Sequence, residues 1–136
     1  MLKSLILISV LVTHVASAEA RLLCTDTGNM DGSYFLDITG FEKILDGSQK
    51  SMVRSLGFKH FRSWVTKIAD LDCAKPNPYL EGPLTLMACY SGPISDFGHA
   101  PARFEAAITN GDFGLIMTVR GPGIPAGYSV PCQIKD

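Results

Sequence analysis

The side chains able to do chemistry are few, and most fall between residues 60 and 99. His60 and His99 are the two imidazoles that follow the first eighteen residues, and Asp96 lies three positions before His99. A carboxylate beside an imidazole could orient it as a general base. A metal site built from His60, His99 and Asp96 would depend wholly on the fold, because the chain has no H-x-x-x-H or H-E-x-x-H to set two imidazoles on one helical face. A nucleophilic serine would need a strained turn such as G-x-S-x-G, which is missing. Asp70 and Asp72 flank Leu71, and Glu81 follows in a Pro-rich stretch. A glycosidase would hold two such carboxyls roughly 5–10 Å apart in a cleft. Charge at strand ends accounts for them better, so no catalytic residue, metal or cofactor is expected.

Two further strings carry little. Asp96-Phe97-Gly98 spells the kinase metal-binding triplet without the glycine-rich loop, strand lysine or catalytic loop that give it meaning. Gly121 to Gly127 is glycine-rich but misses the G-x-G-x-x-G spacing, and its prolines oppose a tight turn into a helix. It reads as a strand connection.

Four cysteines, Cys24, Cys73, Cys89 and Cys132, read as two disulfides. No C-x-x-C is present. Closing a loop of roughly 40–50 residues stabilises by about 4 kcal/mol in the chain-entropy view. An exported chain is the natural setting. Lys3, the apolar run Leu5 to Val12 and Ala16-Ser17-Ala18 form a secretory signal peptide over 1–18, with Ala18-Glu19-Ala20 a second cleavage pattern after residue 20. The run is too short to span a bilayer, which takes roughly 20 residues. Leu23 before Cys24 argues against lipidation. Residues 19–136 then form a single disulfide-stabilised β domain, secreted or periplasmic. It carries 11 basic and 13 acidic residues. That balance argues against nucleic acid or an anionic membrane as partner.

The elements that would position any site are strands. Asn110-Gly111 suits a type I′ turn. A two-residue loop there pairs Thr109 with Asp112, Ile108 with Phe113, Ala106 with Leu115 and Phe104 with Met117, the last three pairs sharing one apolar face. A slip of one residue would turn that set outward. Arg21 to Thr25, Tyr34 to Thr39, Lys50 to Leu56, Leu84 to Tyr90 and Tyr128 to Ile134 read as further strands, with turn clusters at 29–32 and 46–47. Phe41 to Leu45 reads as a returning strand. Residues 58–72 leave helix and strand open: Phe61, Trp64, Val65, Ile68 and Leu71 have helical spacing but β-leaning types.

Cys24 to Cys73 and Cys89 to Cys132 are intervals of similar length. Each passes an Ile-Thr before glycine or Asn-Gly (Ile38-Thr39, Ile108-Thr109) and a Val-Arg (Val53-Arg54, Val119-Arg120). Two diverged four-strand repeats follow from this, giving an all-β antiparallel barrel or sandwich. The alternative is α+β, with a short helix near 58–71. A closed barrel favours Cys24–Cys132 with Cys73–Cys89. A sandwich of two halves favours Cys24–Cys73 with Cys89–Cys132.

The remaining signal is aromatic groups in long connections. Segments 74–83 and 91–103 carry Tyr79, Phe97 and His99, with Tyr90 at the boundary. Long connections in compact domains tend to be functional. Tyr79, Tyr90, Phe97 and His99 are therefore the expected binding residues, for an unknown protein, glycan or small ligand. The function expected is a non-enzymatic binding or envelope-associated domain. The rivals are a small secreted hydrolase using His99 with Asp96 or a carboxylate pair, and an assembly protein with an exposed strand edge.

Overall fold

A computed structural model describes residues 19–60, 64–77, 84–92 and 103–135. Eight antiparallel strands close into an up-and-down barrel: β1 (Arg21–Cys24), β2 (Ser33–Thr39), β3 (Ser51–Lys59), β4 (Val65–Ala74), β5 (Thr85–Tyr90), β6 (Glu105–Gly111), β7 (Gly114–Arg120) and β8 (Ser129–Lys135). One helix, α1 (Phe41–Leu45), lies between β2 and β3. Every strand pairs with its sequence neighbour, and β8 returns to β1. Closure decides the cystines. Cys24 is the register partner of Cys132, and Cys73 of Cys89, and both pairs are bonded. The barrel pairing holds and the sandwich pairing does not.

Alternation places Leu36, Ile38, Leu56, Leu71, Met87, Ile108, Met117, Val119 and Val130 inside, all essentially without exposure. Small barrels fill their interior with side chains in this way. The core cluster takes residues from all eight strands and from α1.

The hairpin β6–β7 forms with its turn two residues later than the Asn-Gly rule predicts. Gly111 pairs with Gly114, Asn110 with Leu115, Thr109 with Ile116, Ile108 with Met117 and Ala106 with Val119. Asp112 and Phe113 make the loop, and Phe113 is fully exposed. A shift of two residues keeps every side chain on its face, so alternation alone does not choose between the two registers. The observed one buries Met117 and Val119 against Ile108 and Ala106. Phe104, expected opposite Met117, precedes the strand and packs over Gly121, where an added Cβ would lie 2.3 Å from its ring.

Phe41 to Leu45 is helical, not a strand. Gly40 at φ +76 turns the chain off β2, and the spacing of Phe41 and Ile44 sets both on one face against the core. Residues 58–59 and 65–72 are strand, His60 and Trp64 belong to the connection between them, and no helix forms among the described residues of this stretch, against the α+β alternative. Leu56 pairs with Ala69 but Gly57 with Lys67, so Ile68 is an extra residue. That bulge resets the period-two pattern and produces the spacing of three that resembles a helix.

The two halves match in strand number and cysteine position, Cys24 and Cys73 on β1 and β4, Cys89 and Cys132 on β5 and β8. The Val-Arg likeness fails: Val53 is 60% exposed and Val119 wholly buried.

Antiparallel order sorts the connections by end. One end carries 40–50, 75–84 and the 112–113 turn; the other carries 25–32, 60–64, 91–104 and 121–128. At the first, Phe41 and Ile44 plug the barrel. Lys43 of α1 donates to Glu19, and the Gly40 N–H donates to the Ala20 carbonyl at 3.0 Å. The β2–β3 ladder has three pairs only, 33–35 with 57–59. Beyond it Arg54 crosses to β2, donating to the Thr39 carbonyl at 2.6 Å.

Candidate functional site

The second end is built from rings. Tyr34 on β2 and Phe58 on β3 are register partners on the inward face. Their rings meet edge to face at 5.3 Å, and Tyr34 meets Tyr128 likewise at 4.9 Å. Phe58 meets His60 edge to face at 5.1 Å. His60 then lies flat on Trp64, 3.7 Å between centroids and 10° between planes. Five rings from two strands and two connections thus form one chain, from the rim of the core to Trp64, which is 60% exposed. The edge-to-face contacts are those the ring quadrupole favours, each worth about 0.5–1.5 kcal/mol beyond burial.

The backbone holds this chain in place. Gly32, at φ +98, lets the Phe58 ring approach; a Cβ there would stand 2.5 Å from Phe58 Cε1 and 2.8 Å from the Lys59 carbonyl. The His60 N–H donates to the Trp64 carbonyl at 2.9 Å, closing the β3–β4 tip. His60 Nε2 and Thr66 Oγ1 are hydrogen-bonded at 2.9 Å, which fixes the imidazole plane against the indole. Burial holds the Tyr34 phenol above its ordinary range, with Tyr128 adding to the effect.

A second feature lies on the barrel flank. Tyr90 ends β5 facing outward, and the Arg103 guanidinium sits over its ring, 4.1 Å from the centroid. Arg103 Nε donates to Glu105 Oε1 at 3.3 Å. Two cavities, of about 490 and 550 Å³, meet at Ala88, Tyr90 and Arg103.

Of the four expected binding residues, Tyr90 is placed, at the junction of these cavities. Tyr79, Phe97 and His99 lie outside the described residues, as do Asp96 and Glu81. His60 is engaged with Trp64 and Thr66. No group of three His, Cys, Asp or Glu side chains able to hold a metal is assembled among the described residues. Asp70 and Asp72 share the outer face of β4, and both are exposed. Hydrogen bonds from Lys67 and then Ser55 hold the Asp70 carboxyl below its ordinary range. That favours a fixed anion over a proton donor.

Sequence reading passed over the ring chain. Tyr34, Phe58, His60, Trp64 and Tyr128 are scattered in the chain, and only register gathers them. The local signal was Phe58-x-His60 facing Trp64 across a short turn. Comparison with family models, with curated proteins and with solved structures finds no match to this chain.

Proposed function

We propose that this chain is an exported, non-enzymatic binding domain whose contact surface is the aromatic end of the barrel. The observation that carries the reading is the ring chain itself. An exposed tryptophan is ordinarily left mobile. Here Trp64 is pinned on one face by His60, which is itself tied to Thr66. A rigid, exposed aromatic anchor loses little entropy on contact, and such anchors dominate binding energies. The filled interior supports a surface site over an internal one. The partner is a protein, glycan or small ligand.

Export is supported by the two cystines, which an oxidising compartment sustains. No helix among the described residues is long and apolar enough to cross a membrane. The contacts of Glu19 and Ala20 with Lys43 and Gly40 favour cleavage after Ala18, because cleavage after Ala20 would remove both. The rival hydrolase reading rests on His99 with Asp96 or on a carboxylate pair, and Asp70 and Asp72 stand exposed on the outer face of β4.

Trp64 is the chain's single tryptophan, so its emission reports this surface directly. The test is capture of partners from the secretory compartment by wild-type and Trp64→Ala baits of equal thermal stability. The expected result is a partner retained by the first and lost by the second, with an emission shift when that partner is added back. Equal capture by both baits would refute the reading.

A further inference from the structure

On the barrel flank, away from the ring chain, the geometry points to a separate site for a carboxylate-bearing sugar chain, seated in the groove beside Arg103. Its floor follows from register. Ala74, Ala88, Ala107, Thr118 and Ser129 are successive cross-strand partners on the outer face of β4 to β8. Five strands at about 4.8 Å spacing make a shallow trough about 19 Å long. The adjacent row, Asp72, Tyr90, Glu105 and Arg120, forms a taller, charged wall. The cavities of about 490 and 550 Å³ lie along this trough.

The wall is organised to meet an anion. Arg103 is held by its flat face on Tyr90 and by Nε on Glu105. Its two Nη groups have no partner among the described residues. A guanidinium fixed in this way presents a ready fork to a carboxylate. Arg120, register partner of Glu105, lines the same cavity, and its side chain has no partner among the described residues. The carboxylate of Glu105 stands between the two guanidinium groups, and Asp72 and Lys75 of the second cavity offset each other, which leaves one positive charge for a ligand.

The rest of the trough selects the ligand's skeleton. The backbones of β5, β6 and β7 are paired with one another here, so an added peptide strand would find no free ladder. A sugar ring needs none: its C–H face can lie on Ala107, and its hydroxyls can reach Thr109 and Thr118.

The experiment is calorimetric titration of the oxidised chain with oligogalacturonate, its methyl ester, polyglutamate and inorganic phosphate. Oligogalacturonate should bind, with affinity falling as salt rises. The methyl ester should bind at least tenfold more weakly. Arg103→Lys, which keeps the charge and loses the fork, should also weaken binding at least tenfold. Trp64→Ala should leave it unchanged, and this separates the flank site from the aromatic surface. No binding by the acidic sugar, equal binding of its ester, an unaffected Arg103→Lys, polyglutamate binding as tightly, or binding of phosphate alone would each overturn the proposal.

Discussion

The two ends of this barrel are closed by different means. At one, α1 inserts Phe41 and Ile44 into the aliphatic core, and the neighbouring polar groups are tied to one another: Glu19 with Lys43, Gly40 with Ala20, Arg54 with Thr39. At the other, rings lead from half-buried Tyr34 out to Trp64, and the hydrophobic exposure ends on a stacked pair. The first end turns the apolar face of α1 into the core and exposes Phe113 and Leu84 at separate connections, whereas the second carries its exposure at the end of a continuous, braced chain of rings. The filled barrel thus separates an aliphatic plug from an exposed ring chain.

The largest way to break the contrast is at the plug. Phe41→Ala removes a ring that is 7% exposed, and should cost about 3 kcal/mol in urea unfolding, with partner capture by the folded protein unchanged. Gly32→Ala acts at the other end. Its Cβ meets Phe58 and the Lys59 carbonyl at a positive φ, so a loss of about 2 kcal/mol is expected. Because Phe58 must move, Trp64 emission should shift as well. Trp64→Ala should change stability by less than about 0.5 kcal/mol, as for a surface substitution, while capture is lost.

Proton linkage sharpens the comparison. The folded-state value of Tyr34 is raised, so its contribution is full below the ordinary phenol range and is lost as pH rises through the raised value. Phenolate absorbance should show one late-titrating tyrosine, and Tyr34→Phe should remove it together with part of the alkaline destabilisation. The smallest effects are on the acid side. Hydrogen bonds and charge from Lys43 lower the Glu19 value, and Lys67, then Ser55, lower that of Asp70. Each contribution is present above the ordinary carboxylate value and is lost as pH falls through the lowered one. Both pairs are solvent-exposed, so Glu19→Gln and Asp70→Asn should barely alter the acid limb of the unfolding curve.

What the sequence made legible followed from period and closure. Alternation in Tyr34 to Thr39 set the inward face, while the cysteine spacing left barrel and sandwich open, and closure of the sheet selected the bonds at β1–β8 and β4–β5. What it hid were two-residue and one-residue effects. The hairpin slipped by two because both registers bury the same face. The Ile68 bulge disguised a strand as a helix, and five residues of α1 were too short for a helical stripe to stand out. Tyr90 was an expected binding residue because it borders a long connection, and its place beside two cavities could not be read from the sequence. Arg103 was not legible, since its stacking on Tyr90 depends on the β5–β6 pairing.

The most direct measurement is hydrogen exchange on the oxidised chain with and without a partner captured by the wild-type bait. Added protection should appear at the amides of Phe58, His60 and Trp64, with no change at α1. Protection centred on Phe41 to Leu45, with the ring-bearing amides unaffected, would contradict the assignment of contact to the aromatic end.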